Sequence, residues 1–120
     1  MSEKALEEAI VKKLSEIKTE KGSCGIRKKL ITNEDSQVLA LSHLEISDAK
    51  RHYHKNTTEV YYVLSGLGEL ELDDKKIKLE EGTTVLVKPG MVHRAISHEK
   101  LNVLIAMSPS TGETDDIFYV

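Results

Sequence analysis

Cys24 is the only cysteine, so the chain cannot close a disulfide on itself. It also has no run approaching the roughly 18 consecutive apolar residues that a membrane-spanning helix needs. A basic surplus is missing too: 17 Lys and Arg stand against 20 Asp and Glu, for a formal net charge of -3. Without an excess of cations to neutralise phosphates, neither nucleic acid nor a membrane is an expected partner. The first residues carry Glu3, Glu7 and Glu8 where a secretory signal would place basic residues ahead of an apolar stretch, so the expected location is cytoplasmic.

What is present fits one soluble domain. The chain has 120 residues, 39% hydrophobic and 31% charged. At this length folding hides roughly 65% of the surface of the unfolded chain, which holds a domain together without a structural metal. A metal found here is therefore expected to serve function.

Leu6, Ile10, Leu14 and Ile17 recur at helical spacing among Glu and Lys, which predicts an amphipathic N-terminal helix within residues 1–22, with Ser2 as its N-cap and Gly22 as its stop. From Ile26 the period changes to two. Short alternating runs follow at 37–46, 60–64, 69–73, 76–80, 83–87, 91–96 and 101–107, separated by turn residues such as Asp73-Asp74-Lys75 and Lys88-Pro89-Gly90. Many short strands behind one helix predict an all-β antiparallel barrel or sandwich over residues 23–107. The remaining segment, 108–120, is polar until Ile117-Phe118-Tyr119-Val120, and an apolar end on a polar tether is expected to dock, on this subunit or on a partner.

The chemistry concentrates in three short stretches. His52 and His54 are spaced to share one face of a strand, with Cα atoms about 6.8 Å apart. Glu59 lies far enough on to cross a turn and re-enter on the neighbouring strand, and His93 follows the Pro89-Gly90 turn. Three imidazoles and one carboxylate make a mixed nitrogen and oxygen set suited to one divalent transition metal, whether iron, manganese, nickel, cobalt or zinc, and in an octahedral ion they leave two positions for a substrate. Strand alternation places Tyr61 and Met91 on the inward face as candidate substrate-binding residues, Tyr61 as a polar handle whose hydroxyl could meet a ligand or substrate oxygen and Met91 as an apolar wall, and turns Tyr62, Arg51 and Arg94 away from it. His43 and His98 are read as surface or supporting histidines, and Cys24 as an ordinary partly buried thiol.

The pattern His52-x-His54-x4-Glu59-x6-Gly66, followed by Gly82-x7-Gly90-x2-His93 with Pro89 in the turn, resembles the two metal motifs of the cupins. The short interval from Gly66 to Gly82 is similar to that of small single-domain bacterial and archaeal members. The motif resemblance covers residues 46–97, and the strand pattern extends it to about 107. It implies a jelly-roll double-stranded β-helix, with His52, His54, Glu59 and His93 as metal ligands inside the barrel, and a homodimer. The chain departs from the family pattern at Ile46, where glycine is usual, at Lys88 in place of proline and at Ser97 in place of asparagine. All four ligand positions are intact.

Two functions follow as expectations. One is a metalloenzyme acting on a small carbonyl, enol or carboxylate compound, of dioxygenase, decarboxylase or isomerase type, since a chelated ion polarises such oxygens. The other is a non-catalytic barrel that binds a sugar or metabolite and presents its N-terminal or C-terminal segment to a partner.

Overall fold

Alternating residues govern the chain from Glu20 onward, and the computed structural model, which describes residues 9–112 and 114–120, is built almost wholly of strands. These are β1 (Glu20–Gly22), β2 (Gly25–Ile31), β3 (Ala40–Ile46), β4 (His52–Tyr53), β5 (Thr58–Leu72), β6 (Lys75–Leu79), β7 (Thr84–Val87), β8 (His93–Ser108) and β9 (Phe118–Tyr119). Every pairing among them is antiparallel, and the sheet curls into the expected double-stranded β-helix.

Two long strands organise this curl. The first half of β5 lies between β7 and the second half of β8, and that limb continues through β3 and β2 to β1. The second half of β5 lies between β6 and the first half of β8, and this limb continues through β4 to β9. The sequence pattern predicts separate strands on either side of Gly66 and Gly68, whereas the structure keeps one strand and bends it. Register shifts fall between Val63 and Gly68. Gly66 has φ +86°, and a side chain there would run into the carbonyls of Glu99 and Lys100 on the partner strand. A shift of this kind reverses which face a residue occupies. Thus Glu59, Tyr61 and Val63 point inward before the bend, and Leu70 does so after it.

The core lies between the two limbs. Leu44, Ile46, Val103 and Ile105 from the first pack with Leu70, Leu79 and Ala95 from the second. At roughly 1.5–3 kcal/mol per fully buried aliphatic side chain, this cluster is the main stabilising term.

The helix expected within residues 1–22 is corrected over its described part. Leu6 and Ser2 lie outside the described residues. From Ala9 to Ile17 there is no α-helix, only a single 3-10 turn at Leu14–Glu16, and Ile10 and Leu14 are exposed. Residues 20–22, expected at the end of the helical unit, instead form β1 at the sheet edge. A short amphipathic helix is stable only where its apolar stripe is covered. Here the segment is held through lysines: Lys28 Nζ donates to the Leu14 carbonyl at 3.2 Å, and Lys12 Nζ to the Leu30 carbonyl at 3.0 Å.

The C-terminal segment docks on its own subunit. β9 pairs with β4, Phe118 stacks on Tyr53 with ring centroids 5.4 Å apart, and the Val120 amide donates to the Arg51 carbonyl at 3.1 Å.

Candidate metal centre

The two limbs face each other across four polar side chains. His52 on β4 pairs directly with His93 at the start of β8, so both rings project inward from one limb. Glu59 projects from β5 in the other limb, and His54, expected to share a strand face with His52, instead enters from the loop after β4, because the strand ends at Tyr53. All four are buried, with residue exposures of 3% for His52, 2% for His54, and 1% for Glu59 and His93. One ligand atom from each can be chosen so that all lie within 4.8 Å of one another.

Backbone carbonyls aim the rings. His52 Nδ1 lies 2.8 Å from the Lys50 carbonyl, His54 Nδ1 2.5 Å from the Asp116 carbonyl, and His93 Nδ1 2.9 Å from the Met91 carbonyl. A carbonyl only accepts, so each Nδ1 donates its proton and each Nε2 carries a lone pair in the neutral ring. Two of those lone pairs approach the Glu59 carboxylate, with Oε1 3.0 Å from His54 Nε2 and 2.8 Å from His93 Nε2. These approaches lack hydrogen-bond geometry: all three atoms are buried without a hydrogen-bond partner among the described residues.

Buried acceptors crowded together need a positive charge among them. A proton answers this only in part. Burial disfavours charge on His54, but the Glu59 carboxylate outweighs it and raises the imidazole to about 9. Burial likewise opposes charge on Glu59, and the facing His54 and His93 rings overcome it, bringing the carboxyl down to about 2. At His52, burial and the nearby His93 ring push the imidazole down to about 4, so it stays a neutral donor. A divalent cation satisfies all four residues at once, and three imidazoles with one carboxylate are a donor set for a transition metal. The residues fit the metal that their spacing implies.

Alternation also holds at the flanking positions. Tyr61 is buried, with its ring edge-on to His93 at 6.0 Å between centroids, while Tyr62 faces out. Met91 is half-buried against the core and contributes the carbonyl that orients His93. Arg94 turns away and pairs with Glu71 at 2.6 Å. His98, exposed, sits 3.0 Å from Glu69, and His43 lies half-buried at a distance from the four-residue cluster. Cys24 is buried at the sheet edge.

One residue that supports the site carries no motif signal. Asp116 closes the loop that bears His54: its carboxylate accepts from the Lys55 amide, the Asn56 amide and the Thr57 hydroxyl, each at 2.8 Å, while its carbonyl holds the His54 ring. The only hint in the sequence is the apolar end that follows it, which pulls the tail into place.

The sequence model of the Cupin domain family matches residues 43–107, more than half of the chain, and the match contains all four candidate ligands. The chain is a cupin. An uncharacterized protein of Aquifex aeolicus is 39% identical to it over 67 residues, 55% of each chain. This cupin thus spans about half the length of the curated relatives it matches. Among solved structures, a protein from Planctomyces limnophilus superposes with a TM-score of 0.82 at 22% identity, covering 91% of this cupin and 95% of that chain. Pac13 of Streptomyces, described as a nucleoside dehydratase, superposes with a TM-score of 0.80 at 12% identity, covering 93% and 91%. At these identities the structural likeness establishes the fold.

Proposed function

We propose that this cupin binds one divalent transition metal through His52, His54, Glu59 and His93 and is a metalloenzyme acting on a small carbonyl, enol or carboxylate compound. The observation that carries the proposal is the convergence of the buried His54 Nε2, His93 Nε2 and Glu59 Oε1, none with a hydrogen-bond partner among the described residues, with carbonyls behind the two rings aiming them together. A bound divalent ion would supply Lewis acidity, polarising oxygens of a chelated compound. The chain's own residues do the rest. The Lys50, Asp116 and Met91 carbonyls hold the imidazoles in one tautomer, and the limbs keep bulk water away from Glu59. Tyr61 and Met91 stand beside His93 as the walls against which a small substrate would rest. The fold shared with Pac13 supports a barrel of this size as a catalytic frame.

The outward face of the first limb supports a homodimer. Cross-strand neighbours Leu86, Val60, Ala106 and Leu41 form one apolar row, and Tyr62 lies beside Leu104 in the next.

Elemental analysis of protein purified without chelators is the test, with Glu59→Gln and His93→Ala alongside. The expected result is near one transition metal per chain in the wild type and little in either variant. Turnover of a panel of 1,2-dicarbonyls and enols by the iron, manganese and nickel forms then identifies the reaction. If wild-type protein takes up no metal even after anaerobic reconstitution, the proposal fails and the barrel is to be screened as a metabolite-binding module.

A further inference from the structure

A second polar site opens into the first limb, between β2, β3 and the end of β8. It is a cavity of about 40 Å3. Its polar lining includes Lys29, Asn33, Ser42 and Ser110, and its apolar side includes Ile105 and Met107. Pairing explains how they meet: Lys29 is the cross-strand partner of Ser42, and Ser42 of Ile105, so the three stand in one row on the inner face. Met107 is in turn the cross-strand partner of Glu59, which places the cavity one strand beyond the metal ligand.

Two features give this cavity a chemical preference. Ser110 is 7% exposed, and its hydroxyl oxygen is buried without a hydrogen-bond partner among the described residues. A buried hydroxyl left in this state is costly, and a ligand accepting its proton relieves that cost. Lys29 supplies a positive charge, and no described Asp or Glu lines the cavity to neutralise it. The lysine does reach an acid outside, Glu20, at 3.7 Å. That pair is long and partly exposed, so little is lost when the ammonium turns to another anion.

Size narrows the ligand. The cavity is little larger than the roughly 30 Å3 that one water takes up in the liquid, so only a small group such as a carboxylate can enter it. A sugar ring or a nucleobase is too large. We infer that this cavity is a carboxylate subsite in which Lys29, Ser42 and Ser110 hold the acid group of a small organic acid. Carboxylate binding in the cavity does not depend on the metal.

The test uses metal-free protein, with acetate as the probe and acetamide as its neutral counterpart, followed by backbone amide NMR shifts. Acetate is expected to saturate and to move the amides of Ser42 and Ser110, while acetamide leaves them in place. Ser110→Ala should weaken acetate about tenfold, and Lys29→Gln more than that, because a charge-assisted hydrogen bond is lost. Equal responses to acetate and acetamide would overturn the inference. So would unchanged affinity in folded Lys29→Gln and Ser110→Ala, or shifts confined to His52, His54 and His93. Inorganic phosphate binding here more tightly than acetate would overturn the carboxylate assignment. Failure of these titrations with a metal-replete wild type sinks the subsite alone, whereas acetate binding in a protein that takes up no metal sinks the metalloenzyme and leaves the subsite standing.

Discussion

The two ends of the described chain attach to the barrel by opposite means. Residues 9–17 lie along β2 through lysine side chains, of which Lys12 makes a 2.8 Å ion pair with Asp35, and their apolar residues Ile10, Val11 and Leu14 stay exposed. Residues 114–120 add a strand, stack Phe118 on Tyr53 and bury Asp116 under the loop that bears His54. Both ends are anchored through an aspartate whose carboxyl lies below its ordinary range. For Asp35 the first cause is the Lys12 ammonium; for Asp116, burial works the other way, and donors from Lys55, Asn56 and Thr57 overcome it. The contrast teaches that an ion pair at the surface tethers a segment, whereas a buried acceptor with several backbone donors makes the segment part of the site.

The largest effect should come from removing each end in turn. A chain ending at Gly112 loses β9 and the carbonyl behind His54, and is expected to retain less than a tenth of the wild-type metal affinity, since supporting hydrogen bonds to ligands typically govern 10- to 100-fold. Removal of residues 1–17 should leave metal content unchanged. Metal titration followed by calorimetry checks both, and equal losses would erase the distinction between the ends.

Asp116→Ala sharpens the comparison to one side chain. It keeps the backbone carbonyl that holds His54 but strands three donors, so stability should fall by on the order of 3 kcal/mol. Asp116→Asn should recover part of that, because its amide oxygen still accepts. Denaturant melts of the metal-free proteins measure the difference.

Acid with and without salt separates the two anchors next. A carboxyl depressed in the folded state contributes stability above its ordinary value, near 3.8 for both residues, and that contribution is lost as the pH falls through the lower folded value. Below about pH 4 both ends should loosen. In 1 M salt, where screening acts over about 3 Å, the Lys12–Asp35 link should weaken already at neutral pH while the Asp116 anchor persists. Hydrogen exchange at the Thr32 and Asn56 amides, which donate to Asp35 and Asp116 respectively, reads the two anchors separately.

The smallest effect is expected from Lys12→Met, which removes one exposed ion pair and should shift neither the melting temperature nor the metal content measurably. A marked loss of stability would mean that residues 9–17 are held as firmly as the C-terminal segment.

How far the site could be read from residues alone follows from the same physics. His52, Glu59, Tyr61 and His93 are legible because alternation along a strand fixes a face, and burial of His52, Glu59, Tyr61 and His93 with exposure of Tyr62 bears this out. The carbonyls of Lys50, Met91 and Asp116 are not legible, since every residue has a carbonyl and only its direction matters. Asp116 itself stands in a polar tail where an acid is unremarked, and Ser110 and Lys29 meet only through the pairing of distant strands. The breaks expected at Gly66 and Gly68 and the helix expected in residues 1–22 differ for a related reason. Glycine permits either a turn or a bend, and a helical stripe permits a helix only if something covers it.

By itself the sequence determined the strand-rich class, the two candidate metal motifs and the inward faces of His52, Glu59 and His93, because a period of two and a fixed ligand spacing are local properties of the chain. The tertiary structure alone decided which tautomer each imidazole presents, that the C-terminal segment closes the site of its own subunit, and that the lysine and serine of the second cavity share a wall. Those outcomes depend on contacts between residues far apart in sequence, 62 positions in the case of His54 and Asp116, and no local period encodes which distant groups a curled sheet will bring together.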